Sequence, residues 1–416
     1  MNRRDYPKLK LSGAVDIGCR QFLVTELPQG IRVDETLGIA GVAALNGFLV
    51  HRADTALYEV RAIITPGGDY LMMFPAGAHY SGASKKINEM LLYRSSDKGK
   101  TWIGPGTAFQ IDYNQHGFIP LIPKGSDRIY CFGTQPVWDE YCMKKGQQEN
   151  APIGYFYSDD DGYTWIGPEL IRPINDPGFK GMSVTRMCET DQGTWLLGAH
   201  EADWSYKPLH TKQYVLRSED QGNTWEVLPG KRPGGWSVED FNRMDEGRLL
   251  NLGVENVLFM IRTPEGHLWA SWSEDDGKNF SSPQPTTLIQ PDAPPMIELL
   301  SDGKTIVCLH HNRHHDLDYV GLGTDNEPLM KDRTEVWASL SKDGGKTWSE
   351  PGFLFCNALE PNLENPFRNH QCSYIDMFTD DGVLHLFVPH RWQQVLHLRI
   401  QENELEKLPD KSELGK

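Results

Sequence analysis

The chain has 416 residues, 39% of them hydrophobic, and a formal charge of −16 at neutral pH. That length suits one large closed domain, and the charge excludes nucleic acid and anionic membranes as partners, since both are held by clustered Lys and Arg. No apolar run reaches signal-peptide or membrane-span length, and seven cysteines at irregular positions form neither close pairs nor metal-ligand spacings, so a reducing, cytoplasmic setting is expected, with no cofactor and no metal.

Residues 1–50 carry no repeat and are expected to pack on, or close, the architecture that follows. Beyond them the motif S-x-D-x-G-x-T-W recurs at 95–102, 158–165, 218–225, in degraded form at 273–280, and at 341–348. Each copy has the chemistry of a turn. The Asp carboxylate accepts backbone N–H groups, the Gly permits positive φ, and the Trp supplies an apolar plate to wedge against a sheet. These Asp residues, Asp160 and Asp343 among them, are therefore expected to be scaffold. A start-to-start spacing of about 60 residues is too long for a helical solenoid unit and fits a four-stranded sheet with generous loops, so the period predicts propeller blades. A sixth, box-less blade follows Asn365, through Cys372-Ser373-Tyr374-Ile375-Asp376-Met377-Phe378 and Leu384-His385-Leu386-Phe387-Val388. The expected fold is all-β, a six-bladed β-propeller of four-stranded antiparallel blades with Asp-box hairpins. It is expected as one domain over 1–416, ending in a charged, solvated tail at 401–416.

In a propeller the innermost strands line a central channel, and chemistry is expected where their starts and the loops beyond open onto one face. The stretches between boxes place those strands at 58–64, 115–122, 182–188, 246–252, 294–300 and 371–378. Polar residues near their starts, Arg61, His116, Arg186, Glu246 and Tyr374, then converge. The loops add His79, Asp203, Arg262, the run His310-His311-Asn312-Arg313-His314-His315-Asp316, and His390-Arg391. Adjacent residues on a strand point to opposite faces, so His314, His315 and Asp316 are expected to meet solvent or substrate rather than a metal. Trp138, Trp204 and Trp236 are expected sugar-stacking platforms.

The repeated boxes and two further matches resemble the sialidase (neuraminidase) superfamily, from the first inner strand onward. In that family a Glu at the start of an inner strand precedes a substrate-binding Arg by one strand-turn-strand. Here Glu246-Gly247-Arg248-Leu249-Leu250 leads to Phe259-Met260-Ile261-Arg262 at similar spacing. The family's next Arg lies just ahead of an Asp box, as Arg333 does before Ser341. The resemblance implies that Arg262 and Arg333 bind the carboxylate of an acidic sugar, a task suited to the planar guanidinium fork. It also implies a tyrosine nucleophile activated by a neighbouring Glu, here Tyr374 and Glu246. Two positions depart from the pattern. The family's first Arg belongs to an Arg-Ile-Pro turn, where this chain has Glu59-Val60-Arg61-Ala62-Ile63-Ile64 with Arg61 as the substitute. Its acid/base Asp belongs to a loop that here, over 79–89, contains no Asp.

The proton donor is accordingly expected elsewhere, at His116, whose ordinary pKa of about 6.5 suits proton transfer at neutral pH, or at Asp203. Arg186, His79 and Arg313 complete the expected substrate contacts. The expected activity is exo-acting removal of a terminal acidic sugar from an oligosaccharide or glycoconjugate. Two other readings use the same residues. One is a lyase that splits a uronic-acid linkage by β-elimination with His116 and a tyrosine; the other is a carbohydrate-binding propeller without turnover.

Overall fold

Alternating and apolar runs separated by tight turns build six antiparallel sheets, the blades of a ring. The structure, a computed structural model, describes residues 13–18, 20–53, 57, 59–76, 88–111, 118–134, 150–206, 209–240, 242–313, 333–360 and 371–415. From the innermost strand outward, blade one is Arg61–Ile64, Tyr70–Pro75, Asn88–Ser95 and Ile103–Ile111. Blade two is Ile119–Leu121, Ile129–Thr134, Ile153–Ser158 and Ile166–Leu170. Blade three is Ser183–Glu189, Trp195–Asp203, His210–Ser218 and Glu226–Leu228. Blade four is Asp245–Gly253, Asn256–Arg262, His267–Ser273 and Gln284–Ile289. Blade five starts with Met296–Leu299, Ile306–His310, Glu335–Ser341 and Gly352–Asn357. Blade six starts with Asp376–Asp380, Val383–His390 and Gln394–Gln401. The innermost strands touch in a closed cycle, one to two and onward round to six and back to one. The six-bladed propeller expected from the repeats is the observed fold.

Each box turns the chain between the third and fourth strands of its blade, and its hydrogen bonds explain its residue types. In the first, Ser95 Oγ donates to Asp97 Oδ1 and accepts from Gly99 N, both at 2.8 Å. Asp97 Oδ1 accepts from Thr101 N at 2.8 Å, and Oδ2 accepts from the Thr101 hydroxyl at 2.6 Å. These bonds, with the Thr101 hydroxyl the strongest influence, hold the Asp97 carboxyl down at about 2. The degraded copy keeps the pattern because the amide of Asn279 reaches Asp275 Oδ2 at 2.7 Å, where a Thr hydroxyl sits in the others. Gly99 has φ of 75°, and a Cβ on it would overlap the His397 ring, so the first box also seals the seam between blades one and six.

The ring closes with the two ends of the chain in shared sheets. Asn46–Arg52 forms the fourth strand of blade six, paired with Gln394–Gln401. Ile39–Val42 pairs with Gly352–Asn357, and Ile31–Asp34 pairs with it in turn, so blade five has six strands. A hairpin of Ala14–Ile17 and Arg20–Leu23 stands outside the blades.

The C-terminal segment differs from the solvated tail expected. A 3-10 helix, Glu402–Lys407, and a helical turn, Lys411–Leu414, present Leu405 and Leu414 to the core cluster that holds Trp337 and Phe353. Phe353 N also donates to Pro409 O at 2.8 Å. The charges face outward while two leucines dock, each burial contributing about 1.5–3 kcal/mol. Among the described residues no helix is long and apolar enough to cross a membrane.

Candidate active site

The innermost strand of blade four does not begin with regular alternation. Its pairing shifts by one residue between Asp245↔Arg262 and Arg248↔Met260, which makes a bulge of Glu246 and Gly247. Bulges re-aim a side chain out of the pleat. Glu246 takes φ of 47°, a left-handed conformation that costs a non-glycine residue about 1–3 kcal/mol and persists only where its surroundings enforce it. Here they do: Gly247 N donates to Gln213 Oε1 at 2.8 Å, and Gly247 O accepts from the Thr185 hydroxyl. Any side chain at 247 would force a shift, because a Cβ there would lie 2.5 Å from the Phe259 ring.

Tyr374 is held in the same way, in the irregular lead into the innermost strand of blade six. Cys372 N donates to Arg333 O at 2.9 Å and Arg248 Nη1 donates to Ile375 O at 3.1 Å, one clamp on each side. Between them Tyr374 has φ of 63°. Its hydroxyl donates to Glu246 Oε1 at 2.8 Å and accepts from Arg262 Nη1 at 3.2 Å. Arg262, the last residue of its strand, also ion-pairs with Glu246 Oε2. Burial first, then the charge of Glu246, push the phenol pKa up, against the opposing charges of Arg262 and Arg333. Tyr374 is therefore protonated at neutral pH, with a carboxylate in place to take its proton.

Around this pair lies a buried network of charge. Arg262 Nε meets Asp292 Oδ1 at 2.6 Å and Asp245 Oδ1 at 3.4 Å. Arg243 bridges the same two acids, Nε to Asp245 Oδ2 at 2.8 Å and Nη1 to Asp292 Oδ2 at 3.1 Å. Arg333 donates to the backbone carbonyl of Asp292, reaches Gln371 Oε1 at 3.4 Å, and lies 5.7 Å from the centre of the Tyr374 ring. Glu246, Tyr374, Arg262 and Arg333 are thus brought together. Arg243, Asp245 and Asp292 were missed by sequence reasoning. The run Arg243-Met244-Asp245-Glu246 and the acid set among prolines in Gln290-Pro291-Asp292-Ala293-Pro294 were the signals available, each just ahead of or at the start of an innermost strand.

Other expected site residues take different partners. Arg61 donates to Glu59 Oε2 at 2.6 Å and to Val60 O at 2.9 Å. With Arg186 and Asp376 it lines a cavity of about 680 Å³ walled by the first two innermost strands and the turns after them. Arg186 crosses the channel to Ile297 O at 3.1 Å, Met377 O at 3.3 Å and the Glu298 carboxylate. Both guanidiniums pair with acids and carbonyls of the strands around them, as buried charges require. Arg313 clips the N-terminal hairpin to blade five, with Asp16 Oδ2 at 2.9 Å and Glu335 Oε1 at 3.2 Å. Asp203 ends its strand exposed and accepts from Ser205 Oγ at 2.6 Å and Ser205 N at 3.0 Å. Those bonds hold its carboxyl below the usual range, the wrong direction for a proton donor. Trp236 wedges against Phe259 and Phe280 inside the blade rather than offering a face to a sugar, and Trp204 is exposed. His116, His79, Trp138 and the segment His314-His315-Asp316 lie outside the described residues.

Comparison with known proteins agrees with this architecture. The family model described as "BNR repeat-like domain" matches residues 134–386. A search of curated protein sequences gives no match. Among solved structures, the Hadza microbial sialidase Hz136 is similar over 87% of this chain and 69% of its own, with TM-score 0.62 and 15% identity. The NanB sialidase from Streptococcus pneumoniae is similar over 86% of this chain and 71% of its own, with TM-score 0.59 and 11% identity. The Trypanosoma rangeli sialidase in complex with 2,3-difluorosialic acid, a covalent intermediate, is similar over 87% of this chain and 60% of its own, with TM-score 0.56 and 11% identity. At such identities the likeness is one of fold.

Proposed function

The chain belongs to the BNR repeat-like domain family, and on that premise we propose that it is a sialidase-like, exo-acting glycoside hydrolase that releases a terminal sugar from a glycan. The observation that carries this reading is the Tyr374 hydroxyl donating to the Glu246 carboxylate at 2.8 Å, with Arg262 bonded to both. As the phenol oxygen attacks the anomeric carbon, Glu246 takes its proton and the leaving oxygen takes one from a separate acid. His116 is assigned that donor role. Water then attacks the anomeric carbon of the glycosyl-tyrosine, giving its proton to the acid that served the leaving group and now acts as base, and the phenol departs with the proton returned from Glu246. Arg262 carries a full positive charge beside both oxygens and stabilises charge as it forms on the phenol.

The Trypanosoma rangeli sialidase holds 2,3-difluorosialic acid as a covalent intermediate, a precedent for two-step chemistry on this fold. The lyase alternative is less well supported. It needs Tyr374 to give its proton to a leaving oxygen, and that proton is directed at Glu246. The test is to incubate the protein with a panel of fluorinated glycosyl fluorides and weigh the intact chain. An adduct that maps to Tyr374 and disappears in Tyr374→Phe is expected. An adduct on another residue, or undiminished glycoside turnover by Tyr374→Phe, refutes the assignment. The acidity of the released sugar is a separate matter, decided by what Arg262 and Arg333 have left to offer.

A further inference from the structure

Building on that glycosidase reading, we propose that Asp292 is an internal carboxylate occupying the guanidinium cluster, so that the sugar accepted at Tyr374 is uncharged where it meets Arg262 and Arg333. Asp292 is fully buried, and its carboxylate spans Arg262 Nε at 2.6 Å and Arg243 Nη1 at 3.1 Å. It therefore lies between two guanidiniums, hydrogen-bonded to Arg262 and ion-paired with Arg243, where a ligand carboxylate would otherwise sit. Its segment is fixed from both sides. Gln290 Nε2 donates to Pro294 O at 3.2 Å, and Gln290 Oε1 accepts from His311 N at 2.7 Å, so the turn carrying Asp292 is braced on blade five. Burial pushes the Asp292 carboxyl up, but the charges of Arg243 and Arg262, with Arg333 behind them, outweigh it and hold the group ionised.

The charges of the cluster balance. Among the described residues in direct contact, Arg243, Arg262 and Arg333 stand against Asp245, Glu246 and Asp292, three of each sign in a desolvated space. An entering carboxylate must either expel Asp292 or add an uncompensated negative charge beside Glu246, the base of the reaction, and either is unfavourable in a low-dielectric site. Arg333 Nε has no acceptor among the described residues. The substrate class that fits is a neutral terminal sugar such as a hexose, a deoxyhexose or an N-acetylhexosamine.

Two measurements on the full chain decide the matter. In the first, 4-methylumbelliferyl glycosides of neutral sugars are compared with the sialoside and the glucuronide. A preference of about 100-fold or more in kcat/KM for a neutral glycoside is expected, the size of one lost charge-assisted contact. In the second, thermal unfolding is followed with N-acetylneuraminic acid, its methyl ester, or acetate. The wild-type midpoint is expected to respond to none of the three. Asp292→Ala exposes two guanidiniums, so acetate and N-acetylneuraminic acid should raise its midpoint while the methyl ester does not. Asp292→Asn serves if the alanine variant fails to fold. Faster cleavage of the sialoside, wild-type stabilisation by N-acetylneuraminic acid that Arg262→Lys abolishes, or Asp292 variants indifferent to carboxylates would each overturn the proposal. If no glycoside of either class is cleaved, the glycosidase reading fails while the thermal arm still decides whether Asp292 fills the cluster.

Discussion

Tyr374→Phe and Glu246→Gln, singly and together, probe the centre of the site without requiring the substrate to be known. Tyr374 Oη donates to a buried carboxylate at 2.8 Å and accepts from a guanidinium at 3.2 Å. A hydrogen bond to a charged group contributes about 1.5–3 kcal/mol net, so Tyr374→Phe should lower stability by about 2 kcal/mol. Glu246→Gln removes one acid from Arg262, which keeps Asp292 at 2.6 Å and Asp245 at 3.4 Å. Its cost therefore falls below the roughly 3–5 kcal/mol of stripping a buried ion of its only partner. Because the amide oxygen left by Glu246→Gln still accepts from the phenol but without the charge, the double variant should cost about 1 kcal/mol less than the sum of the singles. Urea unfolding followed by tryptophan fluorescence on all four proteins gives the cycle. In turnover, loss of a general base should reduce kcat by about 10²–10⁴-fold, and loss of the phenol oxygen should remove the covalent step altogether. Additivity within about 0.5 kcal/mol, or undiminished turnover in either single variant, would refute the idea that the two residues act as a unit.

Further expectations follow from other parts of the ring. Gly247→Ala forces a methyl against the Phe259 ring and should cost about 1–3 kcal/mol while displacing Glu246, so activity should fall further than stability alone explains; unchanged activity at a temperature where the variant is folded counts against the bulge as the positioning device. Leu405→Ala should destabilise by about 2–5 kcal/mol in chemical denaturation, whereas a variant as stable as wild type would show the C-terminal helix to be undocked in solution. The seam between blades one and six should be acid-sensitive. Trp102 Nε1 donates to His397 Nδ1 at 3.3 Å, which leaves His397 Nε2–H to donate to His385 Nδ1 at 2.9 Å. Burial, reinforced by neighbouring positive charge, lowers His385 to about 4 and His397 to about 3. The unfolded chain therefore binds protons that the folded chain does not, and stability present in full above about pH 6.5 is lost as pH falls towards 4. Each such histidine adds up to about 1.4 kcal/mol per pH unit to that slope, less for the partly exposed His385. His397→Phe should make the slope of unfolding free energy against pH shallower by close to one proton, and an unaltered slope would exclude the pair as its source.

The parts of this molecule legible in the sequence are those whose causes lie close together along the chain. An Asp box completes its hydrogen bonds within eight positions, Ser95 to Trp102 in the first case. Five such boxes at a steady interval were therefore enough to give the blade count, the hairpins and the approximate innermost strands. The spacing of Glu246 and Arg262, one strand-turn-strand, was legible for the same reason. The choice among arginines was not. Arg61, Arg186 and Arg262 each pair with a buried acid that the sequence does not mark as the partner, and Glu298 reaches Arg186 from a blade more than a hundred residues away in sequence.

Two backbone facts decided the rest. A single-residue bulge at Glu246 and a left-handed Tyr374 turn both side chains away from the faces that strand alternation assigns them. The sequence by itself determined a ring of six Asp-box blades with a Glu, a Tyr and two Arg near its innermost strands, because turn chemistry and strand period act over a few residues. Only the tertiary structure decided that Asp292 meets Arg262 and Arg243, that Arg61 and Arg186 pair with Glu59 and Glu298, and that the charged tail docks through Leu405 and Leu414. Buried charges and apolar side chains take whatever partner the closed ring brings within reach, and that partner can come from any blade.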